Sequence, residues 1–500
     1  MRIFLGTALA ALMLVINPAL AETINTHTGT VEGITHNDIS AFLGIPYAAP
    51  PVGENRWRAP QPPASWKGTL NATQFGSDCA QAPFPAGSIP GLQTEPDEDC
   101  LFVNVWKPAG AKQGDALPVL VWIHGGGFVY GGSSQSVYSG ENFARDGLVF
   151  VSLNYRLGRF GFFAHPALAD EGVGTNFAVL DQIAALRWGR DNIASFGGDP
   201  AQVTVFGESA GGMSVHMLLQ TPLALGLFQG AIIESGAGRN ESIPYKDIPS
   251  AAASGLQFSP AETAEALRAI PARDVVGNLS MATMGQPGYS GPIIDGRTIL
   301  GGALDAAKVG LYARVPLIIG ANSADGFPIG TDKDNIFSTF GKHESMAREL
   351  YDPDGDTGGL EVATKVSADM IFIEPARAIT RTLAAKDYNV WLYRFAHVGV
   401  QSGIAMGGAP HASEIPYVFD LPERRLQKLE SEQDRAVASL MHQYWVNFAK
   451  TGNPNGDGLP DWPRGSANTT TVQLIGTDET KHVEDPRTAT LDFRESLFNH

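Results

Sequence analysis

From Leu117 the chain repeatedly gathers apolar residues into short, near-continuous runs and then stops on glycine or a polar group. "LPVLVWIHGGGF", "LVFVSLNYR", "VTVFG", "GAIIESG" and "VPLIIGANSADG" follow this rule in order. An amphipathic strand would alternate, whereas a strand covered on both faces reads as a near-continuous apolar run. Helical stretches lie between these runs, notably "NFAVLDQIAALRWGRDNIASF" and "SAGGMSVHMLLQ". Strand and helix alternating in this way predict an α/β fold with an open, mostly parallel sheet flanked by helices. In such sheets ligands bind at the carboxyl ends of the strands, where these runs turn polar. Upstream of Leu117, short β-rich stretches are divided by Pro and Gly, as in "GIPYAAPPVGENRWRAP". The segments 243–311 and 332–386 are more helical and Ala-rich, and read as insertions over the sheet.

Residues 1–21, "MRIFLGTALAALMLVINPALA", carry Arg2, an apolar run and the small-residue cleavage signal Ala19-Leu20-Ala21. These are the parts of a secretory signal peptide removed before Glu22, leaving 22–500 as a single domain. The apolar run is shorter than the roughly 20 residues that span a bilayer, so no membrane association is expected. The formal charge is −17 and becomes one unit more negative without Arg2, which argues against nucleic acid and anionic membrane surfaces as partners. Only two cysteines occur, Cys79 and Cys100, and an exported chain with an even count invites a disulfide between them. The expected location is periplasmic or secreted. Oligomeric state is not legible.

Gly207-Glu208-Ser209-Ala210-Gly211 fits G-x-S-x-G between a strand and a helix. A turn that tight brings the flanking residues together, so glycines two places either side of the serine avoid a collision. Such a turn exposes the serine hydroxyl as a nucleophile. His124-Gly125-Gly126-Gly127-Phe128 follows an earlier buried strand, and glycine there lets backbone N–H groups approach a developing negative charge. Gly126 and Gly127, with the amide of Ala210, are the expected oxyanion donors. The phosphate-binding pattern G-x-x-x-x-G-K-[ST] is absent. Among 11 histidines, His411 stands out in the small-residue loop "GGAPHASEIPYVFD", whereas His397 sits in a strand-like stretch and His124 beside the glycine loop. Asp325 lies just past the strand "VPLIIGAN" among small residues and is the candidate acid. "DPDGDTGG" resembles the start of a calcium loop, but Thr357 and Ala363 stand where that loop needs Gly and Glu, so it reads as a solvated acidic turn. No zinc motif is present, and neither metal nor cofactor is expected.

The order Ser209, Asp325, His411 is that of the α/β-hydrolases. The chain resembles the type-B carboxylesterases, their cholinesterase-like branch, from about residue 28 to the C-terminus. "FLGIPYAAPPVGENRWRAPQP", "EDCLFVNVW", "WIHGGGF", "NYRLGRFGF", "NIASFGGDPAQVTVFGESAGG", "HASEIPYVFD" and "WVNFAKTGNPN" carry the resemblance. It implies an α/β-hydrolase fold with Ser209 as nucleophile, His411 as base and Asp325 in the acid slot, and a paired Cys79 and Cys100. The family usually has Glu as the acid, so Asp325 must reach His411 with one fewer methylene. Cholinesterases carry a Trp between those cysteines that binds quaternary ammonium, and none stands here, so choline esters are not the expected substrates. Where the family commonly reads Gln-Ser-Gly, this chain has Glu234-Ser235-Gly236. Ser235 is expected to support the acid from behind, and a buried Glu234 needs a partner that the sequence does not identify. Glu208, beside the nucleophile, reads equally as an electrostatic or a structural carboxylate. The expected activity is hydrolysis of a small to medium carboxylic ester through an acyl-enzyme. An amidase or lactonase would use the same groups, and a silent binding relative would be expected to have lost Ser209 or His411.

Overall fold

The computed structural model describes residues 20–83, 91–169, 171–172, 174–328, 330–399, 406–421 and 431–498. All but the last two residues of the expected signal peptide lie outside these; Leu20 and Ala21 open the first strand.

The strands are β1 Leu20–Asn25, β2 Thr30–His36, β3 Ile39–Pro46, β4 Thr69–Asn71, β5 Phe102–Pro108, β6 Leu117–Ile123, β7 Val149–Leu153, β8 Gly198–Glu208, β9 Gly230–Glu234, β10 Lys246–Asp247, β11 Ile293–Ile294, β12 Leu317–Asn322, β13 Val390–Phe395, β14 Thr471–Ile475 and β15 Thr480–Glu484. One sheet runs β1-β2-β3-β5-β7-β6-β8-β9-β12-β13-β14-β15, with β4 beside β2. From β7 to β14 every neighbouring pair is parallel. The edges, β1-β2-β3-β5-β7 and β14-β15, are antiparallel.

Each apolar run found in the sequence became a central strand: β7, β9 and β12 are buried along their length, β6 from Val119 and β8 from Val203. Alternate residues feed two different cores, as the period-2 geometry of a strand requires. Val119, Val121, Ile123, Val205, Ile233 and Ile319 pack with Val179, Ile183 and Val215 of the helices Phe177–Asn192 and Ala210–Gln220. Leu120, Trp122, Phe206, Ile232 and Ile318 pack on the opposite face with Val437, Met441, Trp445 and Phe448 of the helix Glu432–Thr451. That helix starts on a capping box, Ser431 with Asp434, and stops at Gly452 in a left-handed conformation (φ 71°).

The sheet winds one way from β6 to β7 and the other way from β8 through β9 to β12, so the switch point lies between β6 and β8. The carboxyl ends of β6, β8, β9 and β12 therefore gather the glycine loop, Ser209, Ser235 and Asp325 at one place. The insertion at 243–311 includes the paired strands β10 and β11. It comes over the sheet end: Met281 packs so close that a Cβ on Gly127 would fall 2.1 Å from its sulfur. Cys79 and Cys100 form a disulfide.

Candidate active site

Ser209 follows β8 directly and precedes the helix Ala210–Gln220 with φ 57° and ψ −122°. This is a backbone conformation that a side-chain-bearing residue adopts at a cost of about 1–3 kcal/mol. Surrounding contacts hold it there. The Ser209 N–H donates to the carbonyl of Glu234 at the end of β9 (2.9 Å), and a Cβ on Gly211 would fall 2.0 Å from the Ile123 carbonyl. The glycine is thus a steric necessity of the elbow. Ser209 is half-buried, while its neighbours on either side are buried.

Asp325 is fully buried, three residues beyond β12. Its Oδ1 lies 2.6 Å from His411 Nδ1. Its Oδ2 accepts from Ser235 Oγ (2.6 Å) and from the Asn322 N–H (2.9 Å). Asp in place of Glu therefore reaches the imidazole without difficulty. The two loops are stitched together: Ala324 N donates to the Ala409 carbonyl (2.8 Å), Ala409 N to Ser323 Oγ (2.9 Å), and Asn322 Nδ2 to the Pro410 carbonyl (2.8 Å). On its other edge His411 presents Nε2 to Glu208 Oε1 at 3.1 Å, so the imidazole reaches the elbow through the residue preceding Ser209.

Gly126 and Gly127 take left-handed φ of 105° and 62°. The Gly126 carbonyl is taken by the N–H groups of Val129 and Tyr130 (3.1 Å each). Among the described residues the N–H groups of Gly126 and Gly127 donate to nothing, and Ala210, first in its helix, has no intrahelical acceptor for its own. His124 braces this loop. Its Nδ1 donates to the Gly125 carbonyl (2.9 Å), its ring stacks on Tyr155 at 4.5 Å, and its own carbonyl accepts from Tyr155 Oη (2.7 Å). Burial lowers the His124 pKa to about 4, so it is a neutral donor at neutral pH.

Three buried carboxylates, Glu208, Asp325 and Glu414, act on the imidazole, and a fourth, Glu234, lies behind them. Burial alone would depress the His411 pKa, but the charge of Glu208, then that of Asp325 with its hydrogen bond, then that of Glu414 outweigh it, and the pKa is raised to about 9. Glu414 accepts from Asn322 Nδ2, and burial followed by the Asp325 charge raises its pKa to about 7. Glu234 finds the partner that the sequence left unnamed in Trp445, whose indole N–H donates to Oε1 (2.8 Å). Burial first, and then the Glu414 charge, raise its pKa well above the ordinary glutamate value. Sequence reasoning did not foresee where Glu414 and Trp445 would sit, although "HASEIPY" and "WVNFAK" held both. It also missed Phe327 and Phe372, whose rings contact His411 at 4.8 Å and 5.0 Å.

His397, just past β13, is held by Asp434 (2.7 Å), away from this cluster's partners. In the acidic turn, Asp352 accepts from Lys333 Nζ (2.6 Å) and the Thr357 N–H (2.9 Å), and Asp354 and Asp356 are exposed. No group of three or more His, Cys, Asp or Glu among the described residues is arranged to hold a metal ion. No helix among them is long and apolar enough to cross a membrane.

The sheet order and switch point, with a serine at the β8 elbow and an acid and histidine following it in the chain, are those of an α/β-hydrolase. The chain belongs to the carboxylesterase family, whose model matches residues 21–354 and 346–494. It is 36% identical over 463 residues to the para-nitrobenzyl esterase of Bacillus subtilis (strain 168), covering 88% of this chain and 92% of the relative. It is 34% identical over 466 residues to the fumonisin B1 esterase of Sphingopyxis macrogoltabida, covering 88% of this chain and 84% of that one. A solved structure of PNB esterase superposes with a TM-score of 0.82 at 34% identity, over 96% of this chain and 100% of that chain. Membership makes this protein a carboxylic-ester hydrolase.

Proposed function

We propose that the chain hydrolyses small to medium carboxylic esters through Ser209, His411 and Asp325, with an acyl-enzyme intermediate. His411 Nε2 takes the hydroxyl proton as Ser209 Oγ attacks the ester carbonyl, forming the C–O bond. The N–H groups of Gly126, Gly127 and Ala210 receive the resulting oxyanion. Asp325 fixes the tautomer of His411 through Nδ1 and offsets the positive charge that the ring acquires. Collapse breaks the bond to the alcohol, which leaves with the proton from Nε2. Water, deprotonated by His411, then attacks the acyl carbon, and the proton returns to Ser209 as the acid departs.

The observation that carries this reading is the 2.6 Å Asp325–His411 hydrogen bond, which joins loops 86 residues apart beside the strained elbow of Ser209. Relatives named as esterases of para-nitrobenzyl and fumonisin B1 compounds support an ester with a sizeable group on at least one side. The Cys79–Cys100 disulfide and the leader-like residues 1–21 support export to the periplasm or beyond. Steady-state hydrolysis of aryl esters graded in acyl and alcohol size, with Ser209→Ala as control, tests the proposal. Activity surviving that substitution would remove Ser209 as nucleophile.

A further inference from the structure

The helical segment at 359–384 does not run regularly. Between the helices Gly359–Ala368 and Glu374–Ala384 it widens into one π turn, Asp369–Ile373. A π turn is less favourable than α and persists where neighbours hold it, often at functional sites. Here the cause is local. Pro375 has no N–H to return to the carbonyl of Ile371, four residues back, so the α register lapses there, and Ser242 Oγ donates to the neighbouring carbonyl of Met370 (2.7 Å). Asp369, fully buried at the start of the turn, accepts from Arg487 Nη1 (2.6 Å) and Tyr351 Oη (3.0 Å). Glu374, at its exit, is gripped by both Arg239 nitrogens, Nε and Nη2.

The turn's product is the placement of Phe372. Its ring lies against that of His411 with centroids 5.0 Å apart and planes only 20° off parallel, while Phe327 meets the same imidazole at 63°. Among the described residues, the polar side-chain partners of the His411 ring are Asp325 at Nδ1 and Glu208 at Nε2, both at ring edges. Edge contacts and the Cβ–Cγ bond set the ring's position, and the flat contact with Phe372 packs the exposed face that they leave uncovered and resists rocking of the plane. A benzene face is also the surface that favours an imidazolium over an imidazole. The turn is tied to the acid as well, because Arg487 Nη2 donates to the carbonyl of Ser323, two residues before Asp325 (2.7 Å).

We infer that the π turn at Asp369–Ile373 is a built support that presses Phe372 onto the face of His411, making Phe372 a positioning residue for ester hydrolysis. The inference rests on His411 being the base in the proposed reaction. Phe372 fixes the plane in which Nε2 meets Ser209 and stabilises the ring when it carries the proton. The charged groups facing His411 are Glu208 at the end of β8, Asp325 after β12 and Glu414 on its own loop, and the tests leave all three unchanged.

Phe372→Leu keeps an apolar, similarly sized side chain and removes the aromatic face. It should lower kcat on an aryl acetate about tenfold with KM within about twofold, and move the midpoint of the kcat/KM pH profile to lower pH. Phe372→Tyr should restore both. Asp369→Asn, which loosens the turn from outside the site, should reproduce the loss more weakly. Wild-type kcat and an unmoved midpoint in Phe372→Leu would overturn the inference while leaving the esterase reading intact. Wild-type behaviour in Asp369→Asn would overturn the role given to the turn. Absence of ester hydrolysis in the unaltered chain would overturn the underlying reading and this inference with it.

Discussion

Replacing Glu208 by Gln should shift the pH dependence of catalysis to lower pH. Glu208 Oε1 is 3.1 Å from His411 Nε2, and its negative charge is the largest of the influences that raise this imidazole to about 9. At an effective dielectric of about 20, a unit pair at that separation interacts by on the order of 5 kcal/mol. Measured shifts from one close opposite charge run to about 1–3 pH units, or roughly 1.4–4 kcal/mol. Gln keeps the shape and removes the charge, so a fall of about 1–2 units is expected. The sign follows from which form works: His411 is a base only without its proton, so kcat/KM rises as pH climbs through its pKa. The wild-type profile should therefore still be rising above neutrality, and the variant should reach its plateau earlier. At pH 7 the variant gains in the fraction of active base, although its plateau falls if Glu208 also steadies the imidazolium in the transition state. The assay is kcat/KM for an aryl acetate across about pH 5 to 10, corrected for spontaneous hydrolysis. A midpoint that stays put, or moves upward, would refute the electrostatic coupling of Glu208 to His411.

Asp325→Asn should leave the fold intact and reduce kcat by roughly 10³- to 10⁴-fold, because an amide favours the wrong imidazole tautomer; steady-state kinetics with a circular-dichroism control checks this. Glu234→Gln should make stability less dependent on pH. A carboxyl whose folded pKa is raised contributes fully below its unfolded value near 4.5, and that contribution is lost as pH rises toward the folded one. The melting temperature of the variant should therefore gain on wild type between mildly acidic and alkaline pH, and parallel curves would contradict this. Cys79→Ser with Cys100→Ser should cost about 3 kcal/mol in the chain-entropy view of a loop closed across 21 residues, read from denaturant unfolding with and without reductant.

The central sheet was legible, and Ser209, Asp325 and His411, the proposed catalytic residues, could be singled out, because their signals are local. Unbroken apolar runs follow from burial on both faces, and Gly211 follows from the close approach of Ile123. Asp325 and His411 could be picked from their loops, although their meeting depends on β12 and on the stitching of residues 322–324 to 409–410, which no single stretch encodes. The support of the site was much less legible. Glu234 meets Trp445 across 211 positions and two layers of structure. Phe372 reads in sequence as one more apolar residue in an Ala-rich helix, and its position depends on a helix irregularity set by Pro375 and on anchors at Ser242, Arg239 and Arg487. The strand reading extended to His397, whereas β13 ends at Phe395, two residues earlier.

The most direct test of the account is the mass of the enzyme during turnover. Acid-quenching the reaction with a slowly deacylated aryl ester, followed by digestion and mass spectrometry, locates the covalent intermediate. The account predicts one acyl group on the peptide containing Ser209, absent from Ser209→Ala and accumulating in a burst equal to the enzyme present. An acyl group on another residue, or full turnover with none on Ser209, would contradict it.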